Sequence, residues 1–224
     1  MNAMILAAGR GERMRPLTDA RPKPLLEVGG SPLIEHLIRN LARAGFVDIV
    51  INYAHLGEQF PDRLGDGAAF GVRLRYSPEP PGGLETAGGI IHALPLLDSE
   101  FVVVNGDIWT DYPFAELRQP LRGVTHAAHL VLVPNPPHHP TGDFALRGEQ
   151  VYAAPPELTF AGIGRYSRAL FETLGAGRRP LAAVLRPAMA ADAVTGVLHS
   201  GHWFDVGTPE RLAALDRFVR ELKQ

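Results

Sequence analysis

Apolar residues along this chain fall into short continuous runs that alternate with segments of helical spacing. Apolar-rich runs over residues 3–8, 47–51, 72–76 and 101–104 predict β-strands, and the runs over 3–8 and 101–104, which are continuous, predict buried ones. Between the first two runs, apolar residues recur with the period of a helix, at Leu33, Ile34, Leu37, Ile38 and Leu41. Ser31 is expected to cap that helix and Pro32 to be its first residue. The alternation predicts an α/β fold with a parallel sheet and helices on its faces.

The second half of the chain continues this pattern. We expect helices over 168–174 and 181–191, a strand over 195–200 and a final helix to residue 222. Thr208 and Pro209 have the residue types of an N-cap and a first helical position, and Glu210 suits the positive end of the helix dipole. No internal repeat or linker interrupts the sequence, so residues 1–224 are expected to form one domain.

Composition excludes several classes of function. A net charge of −2 gives no reason to expect binding to nucleic acid or to an anionic membrane. The 224 residues include no cysteine, which rules out disulfides, thiolate zinc sites and cysteine nucleophiles. The first apolar run is too short to span a membrane and lacks the basic leader of a signal peptide. We therefore expect a cytoplasmic protein without a membrane partner.

The loop after the first strand carries the residue types of a phosphate site. Gly9 and Gly11 let the backbone turn sharply and bring its N–H groups close to a phosphate. Arg13 and Arg15 add guanidinium donors suited to phosphate oxygens. Lys23 is one of only two lysines in a chain with 20 arginines, and it stands between two prolines that stiffen the backbone. We therefore expect this loop to bind a triphosphate.

A candidate metal ligand follows the strand over residues 101–104, which runs directly into Asn105 and Asp107. Ligands of α/β sheets bind beyond the carboxyl ends of the strands, so the loops at Gly9, Asn52 and Asn105 are expected to converge. A triphosphate reacts with Mg²⁺ bridging its oxygens, and Mg²⁺ takes one or two carboxylates as ligands. Asp107 is therefore predicted to bind magnesium; the alternative is an ordinary Asn-Gly-Asp turn.

Two groups of histidines leave alternatives open. His138 and His139 lie in a proline-rich loop without a carboxylate or cysteine at ligand spacing, which favours an ordinary loop over a metal site. His199, His202 and Asp205 have the residue types of a zinc site. Asp205 also belongs to a W-x-D-x-G-T-P motif, which accounts for the aspartate without zinc.

The first 25 residues resemble the signature of sugar-1-phosphate nucleotidylyltransferases, in the order L-A-A-G-x-G-x-R-M-x-P-L-T followed by P-K-P-L. The resemblance spans nearly the whole chain. It implies a single three-layer α/β/α nucleotidyltransferase domain, Rossmann-like, with a mixed, mostly parallel sheet and no β-helix domain. The implied substrates are a nucleoside triphosphate and a sugar 1-phosphate, with Mg²⁺ as cofactor and no protein nucleophile. The expected state is a monomer or a small homo-oligomer.

The same resemblance assigns the site residues. Arg13 and Lys23 would bind the phosphates, and Asp107 and Asp205 would hold Mg²⁺ from opposite sides, the latter within W-x-D-x-G-T-P; these four are the expected catalytic residues. The nucleotide would contact the first loop and a glycine-rich stretch that, taken alone, also suits a simple turn: Leu6, Ala8, Gly9, Gly11, Glu12, Arg13, Lys23, Leu84, Glu85, Thr86, Ala87 and Gly88. The sugar phosphate would contact Asn105, Gly142, Asp143, Glu157 and Gly162.

Three departures from the family pattern concern the substrate side. Glu12 stands where many members have a small hydroxyl residue, and Phe160 stands where many have asparagine. The lysine that holds the sugar phosphate in many members has no counterpart between Lys23 and the last residues of the chain. Arg147, Arg165 or a backbone amide is expected to replace it.

The combination of L-E-T-A-G-G, N-G-D-x-W-T-D and P-H-H-P-x-G-D-F most resembles the short uridylyltransferases that act on N-acetylmuramate α-1-phosphate in bacterial cell-wall recycling. Mannose-1-phosphate guanylyltransferases are the alternative, because no residue discriminates uracil from guanine by physics alone. A non-catalytic nucleotide-sugar sensor on the same fold is expected to lack a metal carboxylate or the loop lysine. Lys23, Asp107 and Asp205 are all present.

Overall fold

The structure is a computed structural model that describes residues 1–119 and 127–223. Its strands are β1 (Asn2–Leu6), β2 (Glu27–Val28), β3 (Ser31–Pro32), β4 (Asp48–Tyr53), β5 (Arg73–Pro78), β6 (Glu100–Asn105), β7 (Ile108–Thr110), β8 (Ala128–Val133), β9 (Ala145–Arg147), β10 (Gln150–Tyr152), β11 (Thr159–Ser167), β12 (Val194–Leu198) and β13 (Trp203–Asp205). Its α-helices are α1 (Leu17–Ala20), α2 (Leu33–Arg43), α3 (Gln59–Leu64), α4 (Glu85–Ala93), α5 (Leu181–Ala190) and α6 (Pro209–Glu221). Short 3₁₀ helices span Glu12–Met14, Lys23–Leu25, Ala68–Phe70, Leu94–Leu96, Phe114–Arg118 and Arg168–Leu170. Within the described ranges, no helix is long and apolar enough to cross a membrane.

Nine of these strands form one mixed sheet, in the order β5-β4-β1-β6-β11-β8-β12-β10-β9. The strands from β5 to β6 are parallel to one another, and β8 is parallel to β12. β11 and β10 run antiparallel to both of their neighbours. The expected mixed sheet with parallel core strands is thus confirmed.

The register of the parallel strands brings three loops together at one edge. Leu6, the last residue of β1, pairs with Asn52 of β4 on one side and with Asn105 of β6 on the other. The three strands therefore end at the same level, and their loops open on the same side of the sheet. The predicted convergence of the loops at Gly9, Asn52 and Asn105 is confirmed.

Alternate residues of β1 face two separate hydrophobic layers. Ala3 and Ile5 pack in one cluster with Leu37 of α2, whereas Met4 packs in the other with Ile90 of α4 and Leu185 of α5. All three β1 residues are fully buried, as expected for a strand covered by helices on both faces. This arrangement confirms the three-layer α/β/α architecture.

The start of α2 differs from the prediction. Ser31 does not cap the helix and Pro32 is not its first residue, because both lie in β3, which pairs with β2 in a tight hairpin. The helix begins at Leu33, whose backbone N–H donates to the carbonyl of Leu26 at 2.9 Å. Backbone pairing across the hairpin therefore satisfies the first donor of the helix in place of a serine hydroxyl.

The helix expected over residues 168–174 is not formed, and that segment has a single 3₁₀ turn instead. The helix expected at the C-terminus is present. The last helix, α6, begins at Pro209 as expected, and the hydroxyl of Thr208 accepts from the backbone N–H of Arg211 at 3.4 Å. α6 packs with Met14, Trp109 and Val206 in a third, smaller cluster. It therefore fixes the position of the loops around residues 14 and 206.

Candidate active site

A cavity of about 540 Å³ opens at the carboxyl ends of β1, β4 and β6. Most residues predicted to bind the nucleotide or the phosphates line it: Leu6, Ala8, Gly9, Gly11, Glu12, Arg13, Lys23, Leu84, Glu85, Thr86, Asn105 and Asp107. Other lining residues were not singled out as binding residues: Ala7, Arg10, Met14, Pro24, Asn52, Glu79, Gly82, Gly83, Arg178 and Gly207. The volume and the polar lining fit a small-molecule site.

Gly11 fixes the conformation of the first loop. Its φ of 68° is left-handed, and a Cβ there would lie 3.0 Å from Cγ2 of Thr18 and 3.3 Å from Cβ of Lys23. The hydroxyl of Thr18 donates to the carbonyl of Gly11 at 2.8 Å. A side chain at residue 11 would strain the backbone and displace the segment that carries Lys23.

A buried polar chain joins the first loop to the glycine-rich stretch. The backbone N–H of Ala7 donates to Asn52 Oδ1 at 2.8 Å, and Asn52 Nδ2 donates to Glu79 Oε1 at 2.6 Å. Glu79 Oε2 accepts from the backbone N–H of Leu84 at 2.7 Å. Asn52 and Glu79 are 2% and 9% exposed, so these bonds are shielded from water and hold both walls of the cavity in place.

Space for the Glu79 carboxylate comes from Gly89 of α4, where a Cβ would overlap Glu79 Oε1. Glu79 cannot be recognised from the sequence, because a single carboxylate in a proline-rich segment has no periodic or motif signal. The pair of glycines at the start of α4 was the available indication that another group approaches the helix closely.

Lys23 and Asp107 form a direct ion pair. Lys23 Nζ lies 2.6 Å from Asp107 Oδ2, and Lys23 is 8% exposed. Gly106 allows this approach, since its N–H donates to the carbonyl of Leu6 at 2.8 Å and a Cβ there would lie 2.6 Å from the same oxygen. The loop cation and the predicted metal carboxylate therefore share one corner of the cavity.

Asp205 lies on the strand next to Asp107. β13 pairs antiparallel with β7, so that Asp205 lies opposite Ile108, and the N–H of Val206 donates to the carbonyl of Asp107 at 2.8 Å. Asp205 accepts from Arg211 NH1 at 2.9 and 2.8 Å through its two oxygens. His138 Nε2 lies 2.9 Å from Asp205 Oδ1.

The carboxylates of Asp107 and Asp205 are hard oxygen donors of the kind that Mg²⁺ takes together with phosphate and water. Asp107 lines the cavity, whereas Asp205 is not among the lining residues and is joined to Asp107 through the backbone of Val206. The described part of the chain has no group of three or more His, Asp or Glu side chains placed to hold a metal ion. The zinc alternative is not supported, since His199 Nε2 bonds to Asp111 Oδ1 at 2.9 Å and the ring of His202 packs on Phe218.

The residues predicted to contact the sugar phosphate divide into two groups. Gly162, at a φ of 73°, packs directly on Asn105, and a Cβ on Gly162 would lie 2.5 Å from Asn105 Nδ2. Asp143 Oδ2 accepts from the backbone N–H of Phe160 at 2.9 Å, in the same part of β11. Gly162 therefore packs on a residue that lines the cavity, and Asp143 is bonded to the same strand two residues before Gly162.

Of the five residues predicted to contact the sugar phosphate, Asn105 lines the cavity, and Gly142, Asp143, Glu157 and Gly162 do not. Glu157 is half-exposed and forms a two-point ion pair with Arg147, whose guanidinium holds the pKa of the Glu157 carboxyl below its usual range. Gly142, at a φ of 74°, packs against Asn135 Oδ1 and the carbonyl of Leu158. Gly142 directly precedes Asp143, and Glu157 lies in the segment whose backbone pairs with the residues around Asp143.

Ala87 and Gly88 also lie behind the cavity wall. Their backbone N–H groups donate to the carbonyl of Arg179 at 3.0 and 3.2 Å, and the N–H of Arg179 donates to the carbonyl of Leu84. Arg178 lines the cavity from this segment, with NH2 3.4 Å from Glu85 Oε1. Glu85 has a left-handed φ of 60°, a strained conformation for a side-chain-bearing residue.

Comparisons with known proteins identify the family of the chain. The sequence model of the nucleotidyl transferase family matches residues 2–144. An N-acetylmuramate alpha-1-phosphate uridylyltransferase from Neisseria meningitidis serogroup B is 54% identical over 95% of both chains. A mannose-1-phosphate guanylyltransferase from Mycobacterium tuberculosis is 30% identical over 94% of this chain and 62% of its own. A Bacillus anthracis structure named as a glucose-1-phosphate thymidylyltransferase superposes with a TM-score of 0.86 at 23% identity, over 99% of this chain and 96% of its own.

Proposed function

The chain belongs to the nucleotidyl transferase family, and we propose that it joins UTP and N-acetylmuramate α-1-phosphate to give UDP-N-acetylmuramate and pyrophosphate. The substrate pair is supported by the identity of 54% to the Neisseria enzyme over almost the whole of both chains. The structural observation that supports transferase chemistry is the corner where Lys23 meets Asp107, with Asp205 on the adjacent strand.

In the proposed reaction, an oxygen of the sugar phosphate attacks the α-phosphorus of UTP in line. A new P–O bond forms, the bond from the α-phosphorus to the oxygen bridging to the β-phosphorus breaks, and pyrophosphate leaves. The site needs no protein nucleophile, because catalysis consists of holding the two phosphates in line and neutralising their charge.

The first loop is proposed to bind the triphosphate. Gly9, Gly11 and Arg13 line the cavity, where backbone N–H groups and a guanidinium would donate to the phosphate oxygens. Lys23 would balance the charge that develops on the leaving pyrophosphate. Lys23 suits this role because it is buried between two prolines and cannot swing away into solvent.

Asp107 and Asp205 are the residues proposed to hold Mg²⁺. Mg²⁺ held by these residues would supply positive charge to the phosphoryl oxygens. Asp107 lies in the turn between β6 and β7, and Asp205 is held on β13 by Arg211 and His138. The pairing of β13 with β7 and the bond from the N–H of Val206 to the carbonyl of Asp107 support the proposal that the two residues act on one ion.

We assign the base of UTP and the sugar phosphate to opposite sides of the corner where Lys23 meets Asp107. Leu84, Glu85 and Thr86 line the cavity and are proposed to contact the base, with Ala87 and Gly88 supporting them from behind. The sugar phosphate is proposed to lie against the cluster formed by Asn105, Gly142, Asp143 and Gly162 and to approach Glu157 at its outer edge.

The proposed substrates also suggest a biological setting. An N-acetylmuramate phosphate is a fragment of peptidoglycan, so the reaction would return a recovered cell-wall sugar to nucleotide-activated form. Nucleoside triphosphates are made in the cytoplasm, which is the compartment we propose. Residues 1–224 are assigned to one nucleotidyltransferase domain, acting as a monomer or a small homo-oligomer.

A mannose-1-phosphate guanylyltransferase is the second candidate, supported by the identity of 30% to the Mycobacterium relative. The two candidates are separated by measuring pyrophosphate release with Mg²⁺, crossing UTP, GTP, CTP, ATP and dTTP with the 1-phosphates of N-acetylmuramate, N-acetylglucosamine, glucose and mannose. Turnover confined to UTP with N-acetylmuramate 1-phosphate supports the proposal. Turnover with GTP and mannose 1-phosphate supports the second candidate function instead. Absence of pyrophosphate release with every substrate pair contradicts both functions.

A further inference from the structure

The proposed sugar phosphate is a second anion beside the triphosphate and needs its own cationic partner. The two arginines considered from the sequence are engaged elsewhere. Arg147 is paired with Glu157 at the surface. Arg165 is fully buried, ion-paired with Glu100, and donates to the carbonyl of Leu117 at 3.2 Å. Neither guanidinium reaches the corner where Asp205 lies.

Arg211 does reach that corner. It lies in the first turn of α6, where its backbone N–H is held by Thr208, and its NH1 donates to both oxygens of Asp205. Its side chain is 23% exposed, so it is mostly shielded but open on one side. Because NH1 makes the contacts with Asp205, the NH2 side of the guanidinium is left for another acceptor.

Two guanidinium groups meet at Gly207, which lines the cavity. A Cβ on Gly207 would overlap NH2 of Arg211 and would lie 3.4 Å from NH2 of Arg13. Two cations at such close range repel each other, and an anion between them reverses the sign of the interaction. A phosphate oxygen is well suited to that position, since guanidinium donors match phosphate geometry.

We propose that Arg211 binds the phosphate of the sugar 1-phosphate and shares it with Arg13 across Gly207. Asp205 orients Arg211 through NH1, and this contact links binding of the acceptor phosphate to the carboxylate proposed to hold the metal. This inference rests on the proposed function, because it names the residue that replaces the absent lysine on the sugar side. It makes Arg211 a substrate-binding residue supplied by the C-terminal helix.

The test compares Arg211→Gln and Arg211→Lys with Arg217→Gln, which changes an exposed arginine on the same helix. The KM for N-acetylmuramate α-1-phosphate is measured at saturating UTP, and the KM for UTP and the Mg²⁺ requirement are measured in parallel. Arg211→Gln is expected to raise the KM for the sugar phosphate by about 10- to 100-fold with the KM for UTP nearly unchanged. Arg211→Lys is expected to restore part of the loss, and Arg217→Gln to behave as the parent.

Two results would overturn the inference. One is an unchanged KM for the sugar phosphate in a folded Arg211→Gln protein, with folding checked by circular dichroism. The other is an equal rise in the KM for UTP or in the Mg²⁺ requirement, which would limit Arg211 to positioning Asp205.

Calorimetric titration of the parent and Arg211→Gln proteins with N-acetylmuramate α-1-phosphate separates this inference from the proposed function. A parent that binds the sugar phosphate but shows no turnover contradicts the function, and loss of that binding in Arg211→Gln still supports the inference. Equal binding by the two proteins contradicts the inference, whatever the turnover.

Discussion

Lys23 Nζ lies 2.6 Å from Asp107 Oδ2, although the two residues are 84 positions apart in the sequence. The contact joins the 3₁₀ helix after the first loop to the turn after β6. It places the loop cation proposed for the leaving pyrophosphate next to the carboxylate proposed for the metal. The first group of predictions concerns this pair.

Asp107→Asn is expected to lower kcat by about 100-fold or more, because the neutral amide removes one of two proposed metal carboxylates. The protein should stay folded, since the amide oxygen can still accept from Lys23. Steady-state pyrophosphate release and circular dichroism test both parts. Asp98→Asn, at an exposed residue paired with the N-terminus, is the control. Parent-like turnover in Asp107→Asn would contradict the assignment.

Lys23→Arg is expected to lower kcat by about tenfold or more, despite the retained charge. Lys23 is buried between two prolines, and a longer planar guanidinium cannot occupy the position of a compact ammonium. Lys223→Arg is a matched control, because it changes the other lysine of the chain, which donates to the carbonyl of Gly29 at the surface. Equal activity of the two variants would contradict the requirement for a compact ammonium beside Asp107.

Glu79→Ala is expected to lower the free energy of unfolding by about 2–4 kcal/mol and to raise the KM for UTP. The substitution leaves Asn52 Nδ2 and the N–H of Leu84 without their buried acceptor. Glu79→Gln, which keeps one acceptor oxygen, should lose less. Urea unfolding measures the stability, and a change below about 0.5 kcal/mol in Glu79→Ala would contradict the role of this network.

Gly162→Ala is expected to lower kcat/KM for the sugar phosphate, because the new Cβ would lie 2.5 Å from Asn105 Nδ2. Gly148→Ala separates this contact from backbone strain, since Gly148 also has a positive φ but its Cβ would enter open space. Both variants should lose about 1 kcal/mol of stability, and only Gly162→Ala should lose activity. Equal kinetics in the two variants would remove Asn105 and Gly162 from the acceptor site.

The sequence alone predicts the fold class and the first loop because their signals are local. The apolar runs that become β1 and β6 are continuous, and Asp107 follows the second run directly. The prediction that Ser31 caps a helix is wrong, because Ser31 pairs with β2 in a hairpin and this pairing outweighs the capping preference of serine.

The contacts around Asp205 and Glu79 are outside the reach of such reasoning. His138 approaches Asp205 from the loop after β8, 67 residues earlier in the sequence, and no spacing indicates that the two meet. Arg211 is only six residues from Asp205, but which side chain of α6 turns back to it depends on how the helix packs. Glu79 acts through Asn52, which is 27 residues away in the sequence. These groups become visible only when the sheet register brings the loops together.

The central claim is tested most directly by identifying the product. The protein is incubated with UTP, N-acetylmuramate α-1-phosphate and Mg²⁺, and the mixture is analysed by mass spectrometry, with Asp107→Asn in parallel. We predict one UDP-N-acetylmuramate for each pyrophosphate released by the parent and almost none from the variant. Absence of UDP-N-acetylmuramate from a parent protein that forms GDP-mannose from GTP and mannose 1-phosphate would contradict the account.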